Sequence, residues 1–182
     1  MMPADGPDLE TLLALFPPST YIRSAEPIAA EVMPQPYRRL LVHEHHMTVT
    51  VEAHHGDLVD VCVLERRIDN GSYARKILLA LQKTGKVVQF GLVRIHLAYC
   101  SEAVRAEILA QQTPLGRILI EHDVLRRIEP TAFLRVTPGP EMMRWFNLTT
   151  PEGTYGRLAL IHCDGKPAIE LLEIVAPEPA CS

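Results

Sequence analysis

Three short segments carry polar side chains in positions suited to binding a small carboxylate. The first is Thr113-Pro114-Leu115-Gly116. It is typical of a helix start, because threonine caps helices and proline is favoured at the first helical position. We expect a helix from Pro114 to about Ile120. The amides of Leu115 and Gly116 would point outward unpaired, and Gly116 has no side chain to block an approaching anion. The simpler alternative is a well-capped helix that binds nothing.

An arginine lies within an apolar strand pattern in the second segment. In YARKILLAL, Arg75 shares one strand face with Ile77, Leu79 and Leu81. A buried guanidinium needs a partner, and a bound carboxylate would supply a bidentate one. Alternatively, Arg75 sits at the open end of the strand and reaches water. Arg94, in GLVRIH, is a weaker candidate of the same kind.

Glutamates alternate with apolar residues in the third segment, PAIELLEIV. Glu173 lies on one face of the predicted strand and Glu170 on the other, each among apolar residues. We expect one of them to be buried and one solvated, but the spacing does not say which. A buried, unpaired carboxyl group has a raised pKa, which suits acid–base chemistry near neutrality.

Histidines cluster between His43 and His55, in HEHHMTVTVEAHH. The spacing matches no metal-binding helix motif such as HExxH, and the segment is polar enough to lie at the surface. We therefore expect no metal and no other cofactor. The four cysteines (Cys62, Cys100, Cys163 and Cys181) lack CxxC spacing and are expected to be reduced thiols.

The elements that would position these residues are mostly strands joined by hairpins. Asn70-Gly71 and Asp164-Gly165 are strong hairpin signals. The predicted fold class is α+β, a single antiparallel β-sheet flanked by helices. Predicted strands cover 58–67, 73–81, 87–97, 133–137, 156–163 and 167–175, and predicted helices cover 9–16, 101–110 and 114–120.

Length and composition indicate one globular domain over residues 1–182. Its first 40 residues are expected to form an irregular, proline-rich wrap. The chain has 47% hydrophobic and 22% charged residues and a formal net charge of −4. This balance argues against binding nucleic acid or an anionic membrane. The absence of a membrane span and of a basic leader predicts a cytoplasmic location, as a monomer or homodimer.

Four segments in order resemble the chorismate lyase (chorismate–pyruvate lyase) family. They are His46-Met47-Thr48 with Glu52 and Gly56, the arginine strand at 74–79, the helix start at 113–119, and the glutamate strand at 165–174. The family encloses its ligand in a cavity inside an antiparallel sheet flanked by helices. The resemblance implies a helix at HMTVTVEA, although that segment alternates like a strand.

The resemblance also implies an activity, the elimination of pyruvate from chorismate to give 4-hydroxybenzoate without a cofactor. Arg75 would pair with the ring carboxylate, and the backbones at Met47 and Leu115 would supply amide contacts. Glu173 would act as general acid or base, with Glu170 as its rival. We further infer from the residues that Arg94 meets the second carboxylate of chorismate.

Two other functions fit the same fold. It also serves as the small-molecule sensor (UTRA) domain of bacterial transcription regulators, so the chain is alternatively a non-catalytic binder of an aryl carboxylate. Sensors of this kind carry a basic winged-helix domain, for which the sequence has no segment. A third alternative is a tailoring enzyme with a pocket longer than one ring.

Overall fold

A seven-stranded antiparallel sheet forms the centre of the protein, whose computed structural model describes residues 6–179. No helix among these residues has the length and apolarity needed to cross a membrane. The strands are β1 (Ile22–Ile28), β2 (Val59–Asp69), β3 (Ser72–Leu81), β4 (Val87–His96), β5 (Arg126–Pro138), β6 (Thr154–Cys163) and β7 (Lys166–Val175). The helices are α1 (Leu9–Leu13), α2 (Tyr37–Leu41), α3 (Met47–His55), α4 (Glu102–Ala110), α5 (Leu115–Glu121) and α6 (Pro140–Trp145), with 3₁₀ turns at Ala30–Val32 and Leu97–Tyr99.

The strand order is β1-β5-β6-β7-β4-β3-β2, with every neighbouring pair antiparallel. Two meanders, β2-β3-β4 and β5-β6-β7, therefore meet at the central pair β4 and β7. Two of the turns have positive φ at both central residues: 44° and 81° at Asn70-Gly71, 50° and 78° at Asp164-Gly165. Such angles require Asn, Asp or Gly, which is why the sequence predicted these hairpins. The predicted antiparallel α+β fold is confirmed.

Helices cover both faces of the sheet. α1 and α6 pack on one face, where Leu12, Phe90 and Leu172 belong to a single apolar cluster. α2, α3, α4 and α5 cover the opposite face, over two further clusters. Because β3, β4 and β7 are covered on both sides, almost all of their residues are buried. Apolar runs rather than clean alternation are therefore expected in these strands.

The N-terminal region is more ordered than the sequence suggested. The predicted irregular wrap over residues 1–40 is wrong for Ile22–Ile28, which forms the edge strand β1 and pairs with β5. Only its first, fourth and seventh residues are half-buried, so this strand has no two-residue apolar period to detect. Asp8 caps α1, accepting from the Thr11 amide at 2.8 Å. Residues 1–5 and Cys181 lie outside the described residues.

Two elements differ from expectation by three or more residues at one end. α1 ends at Leu13 rather than Phe16. β5 begins at Arg126 rather than at the predicted Phe133. A bulge between Pro130 and Ala132 interrupts the alternation of its side chains, which is why the sequence did not indicate its first half. The segment HMTVTVEA is helical despite its β-branched residues, and α3 ends at Gly56, whose φ of 64° terminates the helix. Cys62, Cys100 and Cys163 are free thiols, as expected.

Leu12 tests whether the N-terminal region belongs to the core. Its side chain is fully buried in the cluster under α1. Leu12→Ala is expected to lower the free energy of unfolding by about 2–5 kcal/mol, measured by urea denaturation. Leu125→Ala is the control, because Leu125 is 74% exposed and should change stability by less than about 0.5 kcal/mol. Equal effects of the two substitutions would contradict this packing.

Candidate functional site

A cavity lies between the sheet and the first turns of α3 and α5. The cavity is small, with a volume of about 40 Å³, so the space is narrow. Its wall is mostly apolar and includes few polar side chains, as is usual for a small-molecule site. The polar side chains of the wall are His46, Thr48, Arg75, Gln89, Arg157 and Glu173.

Arg75 is the central polar feature of this cavity. It lies in the middle of β3, is fully buried, and borders the cavity. Among residues 6–179, none of its three guanidinium nitrogens has a partner at the distance and angle of a good hydrogen bond, although the Tyr73 phenol lies close by. Burial lowers the pKa of Arg75, and the nearby Tyr73 phenol opposes this shift. An arginine nevertheless stays protonated in proteins, so an uncompensated positive charge faces the cavity.

Two neutral groups on the same face of the sheet also lack a well-aligned partner among residues 6–179. They are the side-chain carbonyl oxygen of Gln89, which belongs to the cavity wall, and the Tyr73 hydroxyl. Buried polar atoms are nearly always hydrogen-bonded, and each unpaired one costs free energy. Arg75 and Gln89 therefore give the cavity wall buried donors and an acceptor that a polar ligand can bond.

Glu173 lies in the same cavity, but its charge is compensated. Arg157 Nε donates to Glu173 Oε2 at 2.8 Å. Arg157 is itself fully buried and also donates to three backbone oxygens before α3. These acceptors are the carbonyls of Leu41, His43 and His45, at 3.3, 2.9 and 3.0 Å. Arg157 therefore fixes both the carboxylate and the chain leading into α3.

Strand register gives the separation of Arg75 and Glu173. Arg75 pairs with Val93, and Val93 pairs with Leu171. Glu173 is one two-residue step further along β7, on the same face. Two strand spacings across and two residues along place the two Cα atoms about 12 Å apart. Both side chains project from the same face of the sheet and border the cavity.

Met47, Leu115 and Gly116 form the helical wall of the cavity. Met47 begins α3 and Leu115 begins α5. The predicted Thr113 cap is wrong, because Pro114 occupies the N-cap position and no side chain caps α5. A Cβ on Gly116 would lie 2.9 Å from both His46 Cβ and Thr48 Oγ1. Close packing of the two helix starts therefore requires this glycine.

An ion pair holds these two helices together. Arg117 on α5 donates to Oε1 of Glu52 on α3, and the same oxygen accepts from the Val59 amide at 3.0 Å. Arg117 stands where helix starts usually have an acidic residue. Because its charge is paired with Glu52 on α3, Arg117 helps to fix the position of the two helices that wall the cavity.

Arg94 and Glu170 are not in the cavity. They lie on the opposite face of the sheet, where Arg94 forms a two-point ion pair with Glu170. Glu170 is fully buried, and His96 Nε2 lies 3.7 Å from it. Because the guanidinium of Arg94 is committed to this carboxylate, the inference that Arg94 meets a ligand carboxylate does not fit the structure. Of the two rival glutamates, Glu173 is the one in the cavity.

His46 separates the cavity from an outer groove that also includes Arg126. Arg126 Nε lies 2.7 Å from His46 Nε2 and donates to it, so His46 is neutral. Burial, followed by the charges of Arg126 and Arg157, lowers the pKa of His46 to about 4. Burial and the charge of Arg157 also lower the pKa of His43 to about 4.

Sequence reasoning missed Arg157, His46 and Gln89. Arg157 had a detectable signal, since it interrupts the apolar pattern of TYGRLALIHC in the same way that Arg75 interrupts its own strand. His46 was noticed in the histidine cluster and in the segment His46-Met47-Thr48, but neither pattern assigned it a role. Gln89 gave no signal, because an uncharged polar residue near a strand end is common.

Comparison with solved structures identifies the fold. The gene product SA0254 from Staphylococcus aureus aligns with a TM-score of 0.50 and 12% identity, over 67% of this chain and 85% of that one. PhnF from Mycobacterium smegmatis aligns with a TM-score of 0.53 and 8% identity, over 77% and 67%. The chain has the chorismate lyase-like fold. This fold is shared with UTRA domains, and identities this low show the fold alone.

A third structure, a transcriptional regulator of the GntR family from Bacillus cereus, aligns with a TM-score of 0.46 and 11% identity, over 68% of this chain and 95% of that one. No family model matches the sequence, and no curated protein is significantly similar to it. The function must therefore be argued from the cavity itself.

Removing the charge of Arg75 and of Arg157 should change the free energy of unfolding in opposite directions. Arg75→Met removes an unpaired buried charge and should raise the free energy of unfolding of the ligand-free protein by about 1–3 kcal/mol. Arg157→Met leaves Glu173 and three carbonyls without their donor, and should lower it by about 3–5 kcal/mol. Urea denaturation measures both. Destabilisation by Arg75→Met as large as that by Arg157→Met would contradict an unpaired Arg75.

The lowered pKa values of His43 and His46 predict that the protein loses stability in acid. Their pKa values of about 4 lie below the ordinary value of 6.5. The unfolded chain therefore binds more protons between pH 6.5 and 4, and the free energy of unfolding falls as the pH drops through that window. The slope is at most about 1.4 kcal/mol per pH unit for each histidine. His46→Gln should flatten the profile measured by urea denaturation between pH 7 and 4.5; an unchanged slope would refute the assignment.

Proposed function

We propose that the protein binds a small ring-shaped carboxylate in this cavity and that its primary role is recognition of that molecule. The observation that carries the proposal is the buried, unpartnered guanidinium of Arg75. A planar carboxylate matches the two-donor geometry of a guanidinium and neutralises its charge. The narrow, mostly apolar space next to it suits a flat ring.

The other polar groups of the cavity define the second half of the ligand. Glu173 accepts a hydrogen bond from Arg157 and is placed to accept another from a ligand hydroxyl. With Arg75 at one end and Glu173 at the other, the complementary molecule carries a carboxylate and a hydroxyl at opposite positions of one ring. 4-Hydroxybenzoate has this arrangement, and we use it as the reference ligand.

The shared fold with UTRA domains supports a binding role rather than catalysis. The state of Glu173 agrees with this choice. Its charge is held by Arg157, and the same arginine is bonded to three backbone oxygens. A carboxylate fixed in this way is a good hydrogen-bond acceptor. A ligand that completes the Arg75 site would join the two faces of the cavity and stabilise one conformation, which is how a sensor domain transmits occupancy.

Chorismate lyase activity is the second candidate, because Arg75 and Glu173 border the same cavity. In this reaction the C–O bond to the enolpyruvyl group breaks, a ring proton leaves and the ring becomes aromatic. The released enolpyruvate gains a proton and becomes pyruvate. Arg75 would orient the ring carboxylate, and Glu173 would accept the ring proton. Orientation and charge placement would supply most of the catalysis.

Isothermal titration with 4-hydroxybenzoate tests the binding proposal. We expect saturable one-to-one binding that Arg75→Met reduces by at least about tenfold, the low end for loss of a charge-assisted hydrogen bond. Arg66→Met is the matched control, because Arg66 pairs with Arg75 in the strand register but is exposed. Absence of binding, or equal loss in both variants, would contradict the proposal.

Incubation with chorismate separates the two candidate functions. The recognition role predicts that the protein binds 4-hydroxybenzoate but releases no pyruvate above the uncatalysed rate, measured with a coupled pyruvate assay. Pyruvate and 4-hydroxybenzoate formed in equal amounts, and lost in Glu173→Gln, would establish the lyase instead.

A further inference from the structure

A second cluster of chemically active side chains lies outside the cavity, where the chain beyond β7 crosses the end of α3. His54 and His55 are the last two residues of α3, and Glu178 lies opposite them. His54 Nε2 is 3.3 Å from Glu178 Oε2, and His55 Nε2 is 3.5 Å from Glu178 Oε1. The three side chains are sheltered, with exposures of 15%, 12% and 9%.

These distances fit a metal ion. Around a tetrahedral Zn²⁺ with bonds of about 2.0–2.2 Å, neighbouring ligand atoms lie about 3.3–3.6 Å apart. One ligand atom from each of the three side chains can be chosen so that all lie within 4.8 Å of one another, and rotation of the side chains would close the set around an ion. Two imidazoles and one carboxylate are the donors that Zn²⁺ accepts in sites with one open position.

The surrounding contacts hold the backbone of Glu178 in place. The Glu178 amide donates to the Tyr37 hydroxyl at 2.7 Å, and the Tyr37 ring packs on Tyr155 with ring centroids 4.6 Å apart. Outer contacts of this kind orient metal ligands. Arg39 Nη2 lies 3.4 Å from His54 Nδ1. Arg39 is exposed and can turn to solvent, which frees His54 to carry its proton on Nδ1 and bind metal through Nε2.

We propose that His54, His55 and Glu178 form a binding site for a divalent transition-metal ion, with Zn²⁺ as the preferred ion and water in the fourth position. The ion ties the segment after β7 to the C-terminal end of α3. The opposite end of the same helix borders the ligand cavity through Met47 and Thr48. The site does not depend on what the cavity binds.

Zinc titration of the full chain against a chromogenic chelator tests the site. We expect one equivalent of Zn²⁺ per chain, no competition by Mg²⁺, and at least about tenfold weaker binding in each of His54→Gln, His55→Gln and Glu178→Gln. His122→Gln is the matched control, because His122 forms a single histidine–glutamate pair with Glu107 at 2.6 Å. It should bind Zn²⁺ like the unmodified protein.

A plain network of ion pairs predicts different results and would overturn the proposal. No stoichiometric Zn²⁺ binding, unchanged affinity in the three variants, or an equal loss in His122→Gln would each do so. Co²⁺ provides a readout that needs no variant. Strong visible absorption of four-coordinate Co²⁺ is expected, and only the weak absorption of six-coordinate Co²⁺ would contradict the site.

Discussion

The unpaired positive charge of Arg75 is the constraint on which the candidate site depends. A guanidinium that is fully buried and has no partner opposes folding, and the chain must offset that cost elsewhere. The extensive apolar packing on both faces of the sheet supplies the offset. We propose that a ligand brings the missing negative charge, since strain and unsatisfied groups in native proteins concentrate at functional sites.

The sheet uses two Arg–Glu pairs for different purposes. Arg94 and Glu170, on the face with α1 and α6, satisfy each other at two points. Arg157 and Glu173, on the cavity face, are linked at one point, and the remaining donors of Arg157 hold the chain before α3. The first pair is closed to a ligand. The second pair connects the Glu173 carboxylate in the cavity wall to the chain that leads into α3. We propose that a ligand in the cavity would therefore influence the position of α3.

Local chemistry made much of the fold predictable. The hairpins at Asn70-Gly71 and Asp164-Gly165 follow from the positive φ angles of their turns. Arg75 could be assigned to a face because strand side chains alternate. The choice between Glu173 and Glu170 could not be made, since both faces of β7 are buried and both residues lie among apolar neighbours. β1 was missed because an edge strand needs no apolar alternation. The unpartnered state of Arg75 depends on contacts that spacing does not encode.

The measurement that tests the central claim most directly is a crystal structure of the protein with 4-hydroxybenzoate. We expect the ligand carboxylate within hydrogen-bond distance of two guanidinium nitrogens of Arg75, with the ring in the narrow cavity and its hydroxyl directed toward Glu173. A ligand bound elsewhere, or a guanidinium of Arg75 that is satisfied by a protein group in the ligand-free crystal, would contradict it.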